Sequence, residues 1–278
     1  MTERSSGLEV ADAALLLDDL RVRCGHDFRE YAAATLHRRI AARIEAEHLR
    51  TVSELRARVR RDGDSLQRLV EALTVRVTAM FRDPSFHASF RANVVPLLAD
   101  RRFFRVWHAG CASGEEAYSM AILLHEEGLL HRCRIYATDL SHAALARARA
   151  GIYPLPPMRD HTESYRRAGG ARSFSEYYTA RYEHAIMRPF LRDRIVFATH
   201  NLATDAAFQE IDVLLCRNVL IYFTRPLQDR VHDLFLTSLS PGGILALGRT
   251  ESLRFTARED RYQPLDARER IYRRVGEK

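Results

Sequence analysis

The stretch that most constrains the fold is residues 103–118, FFRVWHAGCASGEEAY. The apolar and aromatic run from Phe103 to Trp107 predicts a buried strand. The chain then turns at Ala109–Gly110, where small residues let the backbone bend tightly and let a ligand come close. An acidic pair, Glu115–Glu116, follows, and then apolar residues at helical spacing. This order of strand, glycine turn and helix is typical of a doubly wound α/β sheet with a ligand at the carboxyl end of its strands.

The glycine turn does not suit a phosphate group. Gly110 and Gly114 fit the pattern G-x-x-x-G and not the dinucleotide pattern G-x-G-x-x-G. The acidic pair at the helix start would repel a phosphate, whereas it suits a ligand with hydroxyl groups or a positive charge. Taken alone, the turn is equally compatible with a plain βα connection, so the interpretation depends on the other strand ends.

Polar residues follow the other predicted strands of this sheet. Asp139 ends the apolar run that begins at Cys133, which is where an acidic side chain holds ribose hydroxyls in nucleoside-binding α/β folds. An N-cap or turn role is the structural alternative for Asp139. His200–Asn201 and Arg217–Asn218 come just past the ends of the next two strands. Because parallel strands present their carboxyl ends at one edge, these groups together predict a ligand site.

The missing motifs narrow the chemistry of that site. The chain has neither the Gly-Lys-Ser/Thr of a phosphate loop nor the G-x-S-x-G of a serine hydrolase. Its His, Cys and carboxylate residues show no metal-ligand spacing, so we expect no metal. A nucleoside site with an acidic ribose holder and no phosphate cradle remains, and S-adenosylmethionine fits it.

Hydrophobic periodicity divides the chain into domains. Residues 1–74 predict a small helical domain, in which Ser65 is a candidate N-cap, and residues 75–84 predict a linker. Residues 85–278 predict the α/β domain with a doubly wound sheet, whose last strand lies in the C-terminal stretch ERIYRRV. A turn-rich and aromatic stretch at about 152–193 interrupts the alternation and predicts an inserted element.

The helix that begins near Pro84 has an apolar stripe, which predicts core packing at Phe86, Phe90, Val94 and Leu98. Arg82 lies between an apolar pair and this helix start. A surface ion pair with Asp83 is its structural interpretation, and a guanidinium fork for a carboxylate is its functional one.

The charge balance indicates either an anionic partner or a general amino-acid bias of the source organism. The net charge is +7, and arginine supplies nearly all of the basic residues. On the second predicted helix, Arg38, Arg39 and Arg43 form an Arg-rich face. It is either a solvated surface or a docking surface for an acidic helix.

The cysteines and the N-terminus indicate a cytoplasmic protein. Cys24, Cys111, Cys133 and Cys216 are far apart, which predicts reduced thiols. The N-terminal residues are too polar for a signal peptide, and no run reaches membrane-spanning length. We therefore expect a soluble monomer that is not inserted in a membrane.

Five motifs together resemble the chemotaxis-receptor methyltransferase (CheR-type) family: TAMFRDPSF, HAGCASGEEAYSMA, ATDLS, HNL and CRNVLIYF. The similarity runs from about Thr74 to the C-terminus, and the helical N-terminal segment matches in type. The resemblance implies a Rossmann-like doubly wound sheet whose last strand is antiparallel. The resemblance implies methyl transfer from S-adenosylmethionine, with S-adenosylhomocysteine as product, to glutamate side chains of an acidic helical protein. That protein is expected to be the cytoplasmic domain of a chemoreceptor.

The resemblance also implies site residues by position. The catalytic residues would be Arg82 and Tyr222, which would face the incoming carboxylate. Cofactor-binding roles are implied for Thr78, Arg82, Gly110, Glu116, Asp139, Asn201, Leu202, Arg217 and Asn218. Asp139 would take the ribose, Asn201 and Leu202 the adenine neighbourhood, and Arg217 and Asn218 the methyl-transfer region.

The sequence departs from the family pattern at two places. Many relatives carry Asn where this chain has Arg76, which puts one cofactor contact in doubt. The inserted stretch does not clearly show the glycine-containing β-loop of relatives that bind a tethering peptide. This favours action without a tether, or a substrate other than a chemoreceptor.

Two other functions are compatible with parts of the sequence. A regulatory module that binds S-adenosylmethionine without transferring its methyl group is the main alternative. A nucleic-acid methyltransferase is disfavoured, because RNVLIYF stands where an Asn/Asp-Pro-Pro-aromatic motif would be expected.

Overall fold

The computed structural model describes residues 2–24, 27–74, 78–208, 210–254, 256 and 258–276. The chain divides into two compact units. The first combines Met1–Val75 with Tyr222–Gln228, and the second combines Arg76–Ile221 with Asp229–Lys278.

The first unit contains the four helices that the sequence predicts. They are α1 (Thr2–Cys24), α2 (Ala33–Ala46), α3 (Val52–Arg61) and α4 (Gly63–Leu73). Their apolar stripes meet in a core that includes Leu16, Leu20, Leu36, Ile40, Leu55, Val59, Leu69 and Leu73. Burial of such stripes supplies most of the stability of short helices.

The N-cap prediction for Ser65 is wrong. Asp62 caps α4, because its side chain accepts the backbone N–H of Asp64 at 2.9 Å. Ser65 instead lies buried inside the helix, where its hydroxyl donates to Glu47. In the sequence DGDS, the side chains of Asp62, Asp64 and Ser65 can each act as an N-cap, and Asp62, the first of them, takes the role.

Glu47 holds three helices of the first unit together. Its side chain is buried, accepts the Ser65 hydroxyl at 2.9 Å and pairs with Arg43 at 2.9 Å. Arg58 and Arg68 approach the same carboxylate at 3.4 and 3.3 Å. Burial disfavours the charged form, but these partners lower the pKa of Glu47 below its usual value.

The second unit contains a sheet, its flanking helices and the inserted element. Its helices are α5 (Pro84–Asn93), α6 (Val95–Leu98), α7 (Glu115–Glu126), α8 (His142–Ala150), α9 (Met158–Arg167), α10 (Pro189–Arg192) and α11 (Arg225–Ser238), whose first turn belongs to the other unit. Its strands are β1 (Phe104–Ala109), β2 (Cys133–Asp139), β3 (Ile152–Pro154), β4 (Tyr178–Arg181), β5 (His184–Met187), β6 (Ile195–Thr199), β7 (Ile211–Cys216), β8 (Leu239–Leu247), β9 (Tyr262–Asp266) and β10 (Ile271–Arg274).

The main sheet of the described residues has the order β6-β2-β1-β7-β8-β10-β9. The five neighbouring strands β6, β2, β1, β7 and β8 run parallel, whereas β10 is antiparallel to β8 and to β9. The predicted doubly wound sheet with an antiparallel last strand is therefore confirmed. The sequence did not predict β9. Within β8, the pairing with β7 changes register, and residues 240–243 bulge out between the two registers.

The strand order puts β1 in the middle of the five parallel strands, where both faces are covered. Phe104, Val106 and Trp107 are buried on β1, and α7 packs an almost wholly apolar surface over it. The predicted core stripe is buried at Phe86, Phe90, Val94 and Leu98. Because β1 is parallel to both β2 and β7, the carboxyl ends of these three strands lie at one edge of the sheet.

The inserted element lies between α8 and β6 and contains a small antiparallel sheet of order β3-β5-β4. Glu126, at the end of α7, anchors it by accepting the hydroxyls of Tyr165 and Tyr177 and the N–H of Ala171. Arg91 completes the charge balance of this carboxylate. The insertion is thus fastened to the helix that begins at the glycine turn.

Within the described residues, no helix combines the length and apolar composition needed to cross a bilayer. The four cysteines are free thiols. Burial raises the pKa of the Cys111 and Cys216 thiols, which keeps them protonated and unreactive.

Candidate active site

The glycine turn forms a tight loop with left-handed backbone at three positions. Gly110, Ala112 and Gly114 have φ values of +79°, +48° and +93°. The N–H groups of Gly110 and Cys111 both donate to the carbonyl of Thr138 on β2, at 2.8 and 2.9 Å. The loop therefore curls over the carboxyl ends of β1 and β2 before α7 begins.

Both loop glycines are required by close packing as well as by backbone geometry. A Cβ on Gly110 would lie 2.5 Å from Cγ2 of Val219, and one on Gly114 would lie 2.9 Å from Cβ of Ala148. Non-bonded carbon atoms do not come this close, so a side chain at either position would force the loop or its neighbours to shift.

Asp139 lies at the end of β2 and holds the loop. Its two carboxylate oxygens accept the N–H of Ala112 and the N–H of Ser141, each at 2.8 Å. Ser141 in turn caps α8 by accepting the N–H of Ala144. The turn role considered from the sequence is thus present. A carboxylate has about four acceptor positions, so the predicted ribose role is compatible with these bonds and stays a prediction.

Glu116 is the centre of a charged network beside the loop. Its carboxylate is 3.2 Å from Nδ1 of His108 and accepts from Nη1 of Arg217 at 2.7 Å. Burial opposes ionisation, but the Arg217 charge and the hydrogen bond to His108 lower the pKa of Glu116 to about 2. The site therefore keeps a half-buried carboxylate charged.

Arg217 connects the end of β7 to the turn before α5. Its Nη2 donates to Asp83 at 2.8 Å, and its guanidinium lies 3.9 Å from the ring centroid of Phe86. Only 1% of its side chain is exposed. Asp83 thus pairs with Arg217, which is 134 residues away in sequence. The ion pair between Asp83 and Arg82 stays a prediction.

The loop after β7 depends on a carboxylate that sequence reasoning missed. Asn218 has a left-handed backbone at φ +62°. Glu251 accepts four backbone N–H groups, those of Gly248 (2.5 Å), Asn218 (3.0 Å), Val219 (2.8 Å) and Leu220 (2.7 Å). Burial raises the pKa of Glu251, and these four bonds oppose the rise. One buried carboxylate therefore fixes the backbone that presents Asn218.

Asn201 and Leu202 begin a compact turn after β6. The Asn201 N–H donates to Asp205 at 2.8 Å, and its side-chain oxygen accepts the N–H of Ala203 at 3.0 Å. Leu202 is buried. The turn is thus self-supporting, and the predicted role of these two residues near an adenine stays a prediction.

Arg82 lies in a turn with unusual backbone geometry. Its neighbours Phe81 and Asp83 both have φ +53°, and the N–H of Phe81 donates to the Ser119 hydroxyl at 2.8 Å. Non-glycine residues persist in this region only when surrounding contacts hold them, and such positions concentrate at functional sites. Thr78 is half-buried, and Arg76 lies outside the described residues.

Tyr222 belongs to the first unit. There its carbonyl accepts the N–H of Ala32 at 2.8 Å, and Arg39 lies over its ring at 5.4 Å from the centroid. Its predicted catalytic role stays a prediction.

The second unit thus brings several predicted residues to one sheet edge: Gly110, Glu116, Asp139, Arg217 and Asn218. The supporting residues Asp83, His108 and Glu251 were not singled out as site residues from the sequence. His108 lies one residue before the Ala109–Gly110 turn, which is a usable signal. Asp83 and Glu251 carry no such signal, because their partners are far away in the chain.

In the described part of the chain, no group of three or more His, Cys, Asp or Glu side chains is arranged to hold a metal ion. The donor set at the edge instead consists of carboxylates and backbone groups around a close-packed loop. Such a set fits the hydroxyls and positive charges of S-adenosylmethionine, and it offers no cradle for a phosphate.

Comparisons with known proteins agree with this geometry. Residues 11–74 match the family model "CheR methyltransferase, all-alpha domain", and residues 76–271 match "CheR methyltransferase, SAM binding domain". A Pseudomonas putida protein with the name "Putative methyltransferase Cher3" is 47% identical over 273 residues, which cover 98% of this chain and 99% of that protein.

Two similar proteins are named for chemotaxis. A "Chemotaxis protein methyltransferase" of Listeria innocua is 33% identical and covers 82% of this chain and 85% of its own length. "Chemotaxis protein methyltransferase 1" of Pseudomonas aeruginosa is 29% identical over 87% of this chain and 90% of its own length.

Proposed function

This chain belongs to the CheR methyltransferase family and binds S-adenosylmethionine, and we propose that it methylates glutamate side chains of chemoreceptor cytoplasmic helices. The product would be a glutamate methyl ester, formed during chemotaxis adaptation or related signalling. The observation that carries the proposal is the charged network of Glu116, Arg217 and Asp83 beside the close-packed loop at the sheet edge. The names of the Listeria and P. aeruginosa relatives support the link to chemotaxis.

The cofactor would be held by the residues around this edge. Asp139 would accept hydroxyl hydrogens of the ribose, and Asn201 with Leu202 would border the adenine. The loop at Gly110 would lie against the cofactor, while Glu116 would stabilise its positive end. Thr78 and Asn218 would complete the site near the reacting atoms. Bound S-adenosylmethionine supplies an electrophilic methyl group on a positively charged sulfur.

The reaction requires no catalytic base from this chain. A glutamate carboxylate is already ionised near pH 7, because its ordinary pKa is about 4.3. The protein therefore has to strip water from the carboxylate and align it with the methyl group. We assign the alignment to the guanidinium of Arg82 and the hydroxyl of Tyr222.

Arg217 would act through its neighbours. Its Nη1 and Nη2 donate to Glu116 and Asp83. The guanidinium therefore fixes the Glu116 carboxylate, and through Asp83 it fixes the turn that presents Arg82. A cation with both ends occupied in this way is suited to positioning rather than to capturing a substrate carboxylate.

The acceptor would be an acidic helical protein and not a nucleic acid, and we place the reaction in the cytoplasm with the protein acting as a monomer. Exposed arginine on the first unit, including Arg38, provides positive charge for such a partner. Charge complementarity of this kind raises association rates and makes them sensitive to salt.

A labelling experiment tests the proposal. The protein is incubated with methyl-labelled S-adenosylmethionine and a chemoreceptor cytoplasmic fragment that carries either Glu or Gln at its methylation positions. We expect label only on the Glu form, released as methanol by mild base, because esters hydrolyse and methylamines do not. Arg82→Ala should lose most of the transfer while keeping the melting temperature.

Cofactor binding without any label on the receptor fragment would contradict the proposal. It would favour the regulatory alternative, in which the chain signals by binding S-adenosylmethionine. Label that resists base would indicate a nitrogen acceptor instead of a carboxylate.

A further inference from the structure

A tyrosine of the inserted element reaches the loop at the sheet edge. The hydroxyl of Tyr153, on β3, donates to the carbonyl of Ser113 at 2.7 Å. Tyr153 is buried, and its hydroxyl would lie 3.2 Å from a Cβ placed on Gly114. The inserted element thus touches the loop directly at Ser113 and Gly114.

The small sheet of the insertion determines where this tyrosine points. Tyr153 pairs with Ala185 on β5, and the residues on either side of it, Ile152 and Pro154, are exposed. Because side chains alternate between the faces of a strand, this register turns Tyr153 inward. A shift of one residue would place it in solvent.

The loop needs such an anchor because its backbone is unfavourable. Ala112 is a non-glycine residue at φ +48°, in a backbone region that such residues occupy only when surrounding contacts hold them there. The first half of the loop is held by Thr138 and Asp139 of β2. Tyr153 supplies a bond to the second half, just before α7 begins.

We propose that Tyr153 is a positioning residue through which the inserted sheet sets the affinity of the loop for S-adenosylmethionine. The inference deepens the proposed function, since it rests on the loop being part of the cofactor site. Without the Tyr153 bond, the free loop populates other conformations. The measured affinity is then reduced in proportion to the fraction of molecules that keep the binding conformation.

Tyr118 offers a matched control. It is also a buried tyrosine whose hydroxyl donates to a backbone carbonyl, that of Ala148 on α8, at 2.9 Å. Its ring lies 5.9 Å from the ring of Tyr153. Removing either hydroxyl therefore costs one bond of the same kind in the same surroundings, but only one of the two carbonyls belongs to the loop.

The test compares Tyr153→Phe, Tyr118→Phe and the unchanged full-length protein by calorimetric titration with S-adenosylhomocysteine and by thermal unfolding. We expect Tyr153→Phe to bind about fivefold more weakly, the effect of one lost hydrogen bond. Tyr153→Phe and Tyr118→Phe should lower the melting temperature by similar amounts, because each loses one buried hydrogen bond. Tyr118→Phe should still bind S-adenosylhomocysteine within about twofold of the unchanged protein.

Equal affinities for the two variants would overturn the role of Tyr153 while leaving the proposed function intact. If the unchanged protein bound no S-adenosylhomocysteine, the proposed function would fail and the inference with it. Hydrogen exchange gives a second measurement: the amides of Ser113 and Gly114 should exchange faster in Tyr153→Phe than in Tyr118→Phe. Identical exchange would also overturn the inference.

Discussion

At the scale of single residues, three carboxylates at the sheet edge hold the site. Glu251 is buried, whereas Glu116 and Asp139 are half-buried, and each of the three accepts hydrogen bonds there. Leaving a buried donor unpaired costs about 1–3 kcal/mol. Substitution of these carboxylates by the matching amides changes one atom and therefore tests each role directly.

Glu251→Gln should destabilise the protein by about 2–4 kcal/mol, because the amide nitrogen would face backbone N–H groups that need an acceptor. Binding of S-adenosylhomocysteine should weaken as the loop at Asn218 loosens. Glu47→Gln is the control, since it alters a buried carboxylate that joins three helices of the first unit. Urea unfolding and calorimetry should give both variants a stability loss but only Glu251→Gln a large affinity loss; the reverse pattern would refute the assignment.

Glu116 should make stability depend on pH. Its pKa falls from 4.5 to about 2 on folding, so its contribution is present above pH 4.5 and is lost as the pH falls from 4.5 towards 2. The unfolding free energy of the unchanged protein minus that of Glu116→Gln should therefore shrink by up to roughly 3 kcal/mol over this range. Urea titrations at several pH values measure it. A difference that stays constant with pH would show that the carboxylate is not held in its charged form.

At the scale of elements, the close approach of the glycine loop to the loop after β7 is the critical packing feature. Gly110→Ala places a Cβ against Val219, whereas Gly128→Ala, at φ +69°, meets no atom within 4 Å. We expect Gly128→Ala to cost about 1 kcal/mol from backbone strain alone and to leave cofactor binding unchanged. Gly110→Ala should cost more and weaken S-adenosylhomocysteine binding at least about tenfold. Equal effects in thermal unfolding and calorimetry would mean that Val219 moves aside freely.

The same elements show how far the sequence alone can predict this protein. Periodicity and strand-end polarity predicted the sheet and put Asp139, Asn201 and Arg217 at strand ends. Those features are local, since each is contained within about ten residues. The contacts of Glu251 with the backbone at Asn218, and of Asp83 with Arg217, join residues 33 and 134 positions apart. Such pairings follow from the tertiary fold and leave no local pattern.

At the scale of the whole molecule, part of the positive charge has a structural use. Several arginines donate to backbone carbonyls within their own unit, including Arg39, Arg132, Arg134, Arg149, Arg192 and Arg194. The arginine excess therefore reflects more than an anionic partner. The Arg-rich face of α2 divides in the same way: Arg39 donates to Leu73, Arg43 pairs with Glu47, and Arg38 is exposed.

Charge reversal on α2 separates docking from stability. Arg38→Glu should raise the KM for a receptor fragment and reduce its salt dependence, with an unchanged melting temperature. Arg43→Glu should lower the melting temperature, because it places a like charge four residues from Glu47 and removes one of its cations. Methylation kinetics at two salt concentrations and thermal unfolding provide the comparison. If Arg38→Glu leaves KM unchanged, that surface is only solvated.

The measurement that most directly tests the account is calorimetric binding of S-adenosylhomocysteine to the unchanged protein, Asp139→Asn and Asp212→Asn. Asp212 is the control, because it is a buried carboxylate that accepts the N–H of Arg105 at 2.8 Å near the amino end of β7. We predict that Asp139→Asn weakens binding by about 10- to 100-fold. Asp212→Asn should lose stability and keep its affinity. Unchanged binding by Asp139→Asn, or equal weakening by both variants, would contradict a cofactor site at the carboxyl edge of β1 and β2.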